Sequence, residues 1–125
     1  MIRTIGIAAA ALGATAVLFG AFGAHMLRGY LDEHALLIWH TSVDYQIWHA
    51  LAVLAIAGIA RADEKWWARS AWTLIVGIVL FCSSLYALAL GAQTWIGVIT
   101  PFGGLLLIAG WTLAGVAFWC SASSK

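Results

Sequence analysis

Three polar residues in the stretch YQIWHAL have types and spacing that suit ligand binding. Tyr45, Gln46 and His49 bring a phenol, an amide and an imidazole into an otherwise very apolar part of the chain. In a helix Tyr45 and His49 share a face, and Gln46 lies about 60° beyond His49 at 100° per residue. Inside a membrane such groups need internal partners or a wet cavity. The spacing therefore predicts that all three point into a helical bundle.

Polar side chains from three other apolar segments are predicted to lie at the same depth. His25 ends the first segment, a serine pair and a tyrosine fall late in the third, and Thr100 begins the fourth. We expect His25 and His49 to share one polar pocket in the outer half of the bundle, because lipid offers an imidazole no partner. The predicted cluster consists of His25, Tyr45, Gln46, His49, Ser83, Ser84, Tyr86 and Thr100.

Two interpretations of this cluster involve no catalysis. The cluster could be structural, since polar contacts inside membranes average about 0.6 kcal/mol and can specify a bundle. It could also bind a small headgroup, such as that of a quinone or a lipid, because polar donors in an apolar pocket orient such a ligand. An accessory subunit of a larger membrane complex, or a homo-oligomer, fits the same features. The headgroup would be held by His25, Gln46, His49 and Tyr86.

Haem or metal binding is a different class of function. His25 and His49 come from antiparallel helices and would be the axial ligands of one iron. His40 and Asp44, four residues apart, would form a separate site at the outer surface. No cysteine–histidine cluster has the spacing of a dedicated site, so the sequence predicts no metal ligand set and specifies no cofactor.

Transport and enzymatic catalysis are less well supported. A small transporter of this size needs a carboxylate inside the membrane, and Asp44 is expected at the outer edge. Catalysis needs a nucleophile, a base and an orienting group in one place, and the sequence shows no such arrangement. We therefore predict a protein that is not an enzyme and has no catalytic residue.

The composition requires that the elements positioning these residues lie in lipid. The chain is 64% hydrophobic and 9% charged, whereas a soluble domain is about 25% charged. A net charge of +1 without a basic run argues against nucleic acid as a partner. Residues 4–24 and 70–124 contain no charged side chain, and about 20 apolar residues cross a bilayer as a helix.

The sequence thus predicts an all-α, antiparallel four-helix bundle that forms a single membrane domain over residues 1–125. Transmembrane helices are expected near 4–26, 43–61, 68–91 and 97–119, with a break at Gly91–Thr94. Asp32 is a candidate helix cap. Residues 30–42 fit either a helix on the membrane surface or an extension of the second helix.

Basic residues predict the orientation in a bacterial-type inner membrane. Arg3, Arg61, Lys65, Arg69 and Lys125 lie on one side, and Arg28 lies on the other. By the positive-inside rule, both termini are cytoplasmic. Tryptophans near the helix ends, including Trp39, agree with an aromatic belt at the interfaces.

Glycines at seven-residue spacing predict close helix packing. Gly6, Gly13 and Gly20 follow this spacing in the first helix, and Gly103 and Gly110 follow it in the fourth. Small residues allow membrane helices to approach closely. Thr100 is expected to cap the fourth helix, with Pro101 in its first turn.

Four motifs resemble those of a known family. GAFGAH (20–25), YQIWHAL (45–51), SLYALAL (84–90) and ITPFGGLLLIAGW (99–111) are similar, in this order, to motifs of the small membrane proteins called domain of unknown function 423, which include animal transmembrane protein 256. The resemblance covers nearly the whole chain and implies a four-helix inner-membrane protein without an assigned activity. The cluster residues from His25 to Thr100 occupy motif positions, except Ser83. His40, Asp44 and the Cys82–Ser83 pair are less typical of the family.

Overall fold

Four long helices account for most of the described part of the protein. The computed structural model describes residues 1–60 and 65–122. Over these residues the helices are α1 (Ile2–His25), α2 (Glu33–Ile59), α3 (Lys65–Ala89) and α4 (Ile99–Ala122), with 3₁₀ turns at Leu27–Gly29 and Thr94–Val98. Each long helix has the length and hydropathy to cross a membrane. The predicted all-α, four-helix membrane architecture is confirmed.

The helix α2 is longer than predicted because residues 33–42 extend it. Asp32 has an extended backbone, and its side chain accepts a hydrogen bond of 2.8 Å from the Ala35 amide, so the predicted cap is present. The helix then continues without a break to Ile59. Of the two alternatives for residues 30–42, the extension of the second helix is the one observed.

The break between α3 and α4 lies where GAQT predicts it. Gly91 has a φ of +88°, a conformation that glycine adopts without steric cost. Its amide donates to the Leu88 carbonyl, and the Ala92 amide donates to the Ala87 carbonyl, which together close the end of α3 in a Schellman-type turn. After the 3₁₀ turn, α4 begins at Ile99, so Thr100 lies inside the helix instead of capping it.

Sequence neighbours pack against each other in the bundle. The helix α1 packs on α2, α2 on α3, and α3 on α4, while α1 also touches α3 along one edge. The predicted close approach holds for α4, where Gly103 packs on Phe81 and Gly110 on Leu74. In α1, Gly6 and Gly20 face α2, but Gly13 has no neighbour within 4 Å of where a Cβ would be.

Among the glycines of α1, the one that the seven-residue spacing misses, Gly23, has the least room for a side chain against α2. A Cβ on Gly23 would lie 2.7 Å from a ring carbon of Trp39. This notch admits the indole, whose Nε1 donates a hydrogen bond of 2.8 Å to the Phe19 carbonyl. Trp39 is therefore a buried packing residue between α1 and α2 and does not face the membrane surface as a tryptophan of an aromatic belt would.

Candidate functional site

Gln46 is the centre of a hydrogen-bond network that joins three helices. Its Nε2 donates to the Leu12 carbonyl and to the Thr15 hydroxyl, both on α1 and both at 2.8 Å. Its Oε1 accepts a hydrogen bond of 2.8 Å from the Tyr86 hydroxyl on α3. Gln46 is only 4% exposed. The structure therefore brings together two of the predicted cluster residues, Gln46 and Tyr86, through a fully bonded amide.

The direction of each hydrogen bond in this network follows from the carbonyl of Leu12. A carbonyl only accepts, so the Gln46 amide nitrogen must face Leu12 and its oxygen must face Tyr86. The single proton of Tyr86 is thus committed to Gln46. The Thr15 hydroxyl donates to carbonyls of its own helix, at Ala11 or Leu12, and accepts from Gln46. No proton in the network is left over for a ligand.

A groove between α1 and α3 lies beside this network. It has a volume of about 190 Å³, with Gln46 of α2 at its base. Thr15, Val79 and Ser83 are exposed along it, so the groove opens on the outside of the bundle. We call it the α1–α3 groove; it is lined by Leu12, Thr15, Phe19, Gln46, Ile78, Val79, Cys82, Ser83 and Tyr86.

Ser83 and Ser84 have different roles although they are adjacent. The Ser83 hydroxyl bonds to the Val79 carbonyl of its own helix and faces the α1–α3 groove. The buried Ser84 hydroxyl donates to the Phe81 carbonyl at 2.8 Å and lies 2.7 Å from the Thr100 hydroxyl on α4. Because Ser84 has one proton, Thr100 is the donor between them. Ser84 and Thr100 therefore connect α3 to α4 away from Gln46.

Two buried serines that were not predicted as site residues also bond between helices. Ser42 donates to the Cys82 carbonyl at 2.9 Å, and Ser70 donates to the Gly110 carbonyl at 2.8 Å. Ser42 lies four residues before Gln46 on the same helix face, and this spacing could have identified it in the sequence as a residue that points into the bundle. Ser70 follows Arg69 at the start of a long apolar run, where nothing in its surroundings marks it as buried.

His49 and Tyr45 form a second polar group, separate from the Gln46 network. The His49 ring is 8% exposed, and its Nδ1 lies 2.6 Å from the Tyr45 carbonyl, which requires Nδ1 to be the donor. The Tyr45 ring stacks on it at 5.6 Å and 21°, and Trp111 of α4 approaches its edge at 6.2 Å. His49 therefore lies on the side of α2 that faces α4. The polar residues predicted to share a single pocket form two separate groups instead.

His25 lies outside both groups, which contradicts the pocket predicted for it. The side chain is exposed at the end of α1. Gly20 packs against Val43 and Gly6 against Ala57, so His25 is level with a residue near position 38. His49 is then eleven residues farther along α2, or about 16 Å along the bundle. A metal–nitrogen bond is about 2 Å, so one iron cannot bind both imidazoles.

The contacts between helices also place Asp44 deeper in the bundle than the outer edge, where it was predicted to lie. Both His40 and Asp44 are exposed, outside the Gln46 network as predicted. However, Ser42 bonds to the carbonyl of Cys82, which lies nine residues before Gly91 in the turn that follows α3. Asp44 is therefore about 15 Å inside the end of α3. The depth estimate failed because α2 begins at Glu33 rather than near 43.

Comparison with known proteins identifies relatives of this chain. A family model described as protein of unknown function (DUF423) matches residues 19–104, a range that includes every predicted cluster residue. The UPF0382 membrane protein SH2409 of Staphylococcus haemolyticus is 42% identical over 97 residues, covering 75% of this chain and 77% of its own.

Two further relatives come from other bacteria. The UPF0382 membrane protein YwdK of Bacillus subtilis is 39% identical over 104 residues, covering 82% of this chain and 85% of its own. A UPF0382 membrane protein of Haemophilus influenzae is 45% identical over 95 residues, covering 76% and 77%. No solved structure matches the chain significantly.

Proposed function

We propose that this chain, which belongs to the DUF423 family of proteins of unknown function, is a non-enzymatic membrane protein that binds a quinone-class lipid in the α1–α3 groove. The observation that carries this proposal is an apolar groove with a polar base that opens on the bilayer side of a multi-pass bundle. Ligand sites of this kind are mostly apolar, with a few placed polar groups.

The size of the groove supports a single ring as the part of the ligand that it holds. A cavity of about 150 Å³ accommodates benzene. The α1–α3 groove, at about 190 Å³, has room for one substituted ring but is smaller than the usual range for whole ligands. The isoprenoid tail of a quinone would extend through the open side of the groove into the bilayer.

The hydrogen-bond directions favour the reduced form of such a ligand. The protons of Tyr86, Thr15 and Ser83 are already donated, to Gln46 or to carbonyls of their own helices. Apart from the weak thiol donor of Cys82, the groove therefore offers oxygen lone pairs. A quinol hydroxyl can donate to these lone pairs, whereas a quinone carbonyl needs a donor.

Among the described residues, Ser84 and His49 belong to separate hydrogen-bonded groups. Ser84 and His49 do not bond to each other, because Ser84 bonds to Phe81 and Thr100, and His49 bonds to Tyr45. An accessory role in a larger membrane complex is compatible with quinol binding and needs no different site.

Binding can be tested with a short-chain benzoquinol and its oxidised benzoquinone. We expect the purified protein in lipid nanodiscs to retain the quinol under anaerobic equilibrium dialysis, and to bind the quinone about tenfold more weakly, as one lost hydrogen bond in the site implies. Equal retention of the two forms would contradict the inference that the groove offers hydrogen-bond acceptors and therefore prefers the quinol. Retention of neither form would contradict the proposed function.

The matched variants are Ser83→Phe and Thr112→Phe. Each hydroxyl bonds only to a carbonyl of its own helix, and both residues are exposed, but only Ser83 lines the groove. We expect Ser83→Phe to fill the groove and abolish quinol retention, while Thr112→Phe binds as the unchanged chain does. If both variants bind normally, the quinol lies elsewhere.

The orientation with both termini in the cytoplasm is part of the proposal. The basic residues Arg3, Lys65 and Arg69 lie at one end of the bundle, while Arg61 and Lys125 lie outside the described residues. In a bacterial inner membrane, this bias puts that end in the cytoplasm. A phosphatase fused after Lys125 should be inactive and a fluorescent protein at the same position bright; active phosphatase would reverse the orientation.

A further inference from the structure

One face of α2 is exposed along its full length. Its buried residues, such as Ser42, Gln46 and Val53, point toward the other helices. On the opposite side, seven residues that fall within an arc of about 80° on a helical projection are all exposed. We call this the α2 stripe; it consists of Leu37, His40, Asp44, Trp48, Leu51, Ala55 and Gly58.

Asp44 makes this stripe unusual for a surface that faces lipid. It lies well inside the span of the bundle, about 15 Å from the end of α3 and about 7 Å below the end of the charge-free run in α1. Neither Asp44 nor His40 has a hydrogen bond or an ion pair with any residue of the ranges 1–60 and 65–122. A carboxylate at this depth is costly unless a partner satisfies it.

We propose that the α2 stripe binds the α2 stripe of a second copy, so that His40 of each chain donates a hydrogen bond to Asp44 of the other. The two side chains are one helical turn apart on the same face, and they are complementary as donor and acceptor. Two parallel copies related by a two-fold axis along the membrane normal form this pair twice. Such symmetry is the most common in homo-oligomers.

The rest of the stripe suits contact between helices. Trp48 and Leu51 supply apolar area next to Asp44, being 58% and 56% exposed in the single chain. Toward the other end of α2, Gly58 has no atom of residues 1–60 or 65–122 within 4 Å of where a Cβ would be, so its small size serves no contact with these residues. A glycine on an open helix face lets a second helix come close.

Cross-linking in native membranes tests which surface meets the second copy. Leu51→Cys places a thiol on the α2 stripe, and Leu105→Cys places one on α4 at similar exposure, 56% against 62%. On oxidation we expect Leu51→Cys to form a covalent dimer well above the unchanged chain, which contains Cys82 and Cys120. Leu105→Cys should stay at that background. Equal yields from both positions, or none from Leu51→Cys, would overturn the proposal.

Mixed variants test whether His40 and Asp44 pair between chains. Asp44→His leaves two histidines and His40→Asp leaves two aspartates, so each variant alone should dimerise about tenfold more weakly in nanodisc energy-transfer measurements. Mixing the two should restore dimers, because each donor then meets an acceptor on the other chain. Neither side chain has a hydrogen bond or an ion pair with the described residues of its own chain, so a folding defect is not expected. Dimerisation of each variant at the unchanged level, or no recovery on mixing, would contradict the pairing.

Discussion

Replacing Gly103 with valine should prevent α3 and α4 from packing, and the alanine variant should already lose about 2–3 kcal/mol of stability. A Cβ at this position would lie within 2.7 Å of both the backbone nitrogen and the Cα of Phe81, which is closer than van der Waals contact allows. A flexible side chain could rotate away from such a clash, but a helix backbone can only move as a whole. The separation of the two helices would also stretch the bond between Ser84 and Thr100. Unfolding in mixed micelles of increasing denaturing detergent measures the loss.

Two other glycines provide an internal scale for this prediction. A Cβ at Gly110 would lie 2.6 Å from the Leu74 side chain but 3.2 Å from its backbone nitrogen, a wider backbone spacing than at Gly103, so Gly110→Ala should cost less than Gly103→Ala. Gly13 has no atom within 4 Å of that position, so Gly13→Ala should be neutral or stabilising, since alanine favours helix by up to about 1 kcal/mol. Equal losses at all three positions would show that the α3–α4 contact is not the cause.

These glycines also show what the sequence could and could not predict about the fold. The apolar runs were sufficient to predict four membrane helices, and the turn at Gly91 lies in the predicted break. The seven-residue spacing is the same in α1 and α4, but only α4 has a neighbour along its whole glycine face. Periodicity shows which residues share a helix face. It does not show whether another helix covers that face.

The site was also only partly predictable, because helical periodicity shows which way a side chain points but not which helix lies opposite. The angular relation of Tyr45, Gln46 and His49 follows from helical geometry, and the structure keeps it. The partner of each side chain depends on which helix lies opposite, so Gln46 joins α1 and α3 while His49 faces Trp111 on α4. The error for His25 is one of register: a second helix that begins at Glu33 shifts every depth comparison with α1.

Gln46→Leu should destabilise the bundle more than any change confined to His49. The variant removes the three interhelical hydrogen bonds of the amide. The Leu12 carbonyl and the Tyr86 hydroxyl then lose the Gln46 side chain as a hydrogen-bond partner. At about 0.6 kcal/mol for each bond, the expected loss is about 2 kcal/mol. His49 bonds only within its own helix, so His49→Leu should cost less. The same detergent unfolding measurement compares the two variants.

A double-mutant cycle separates the hydrogen bond between Gln46 and Tyr86 from the loss of packing. Tyr86→Phe keeps the ring packed edge-on against Phe19 and tilted against Trp39, with centroids 4.9 and 4.6 Å away, and removes only the hydroxyl. In the Gln46→Leu background that hydroxyl has lost its amide acceptor, so its removal should cost less than it does in the unchanged chain. We therefore expect the double variant to lose less than the sum of the single variants, by about 1 kcal/mol. Strict additivity would mean that the bond between Gln46 and Tyr86 adds no stability of its own, and that the cost of each single variant comes from its other contacts.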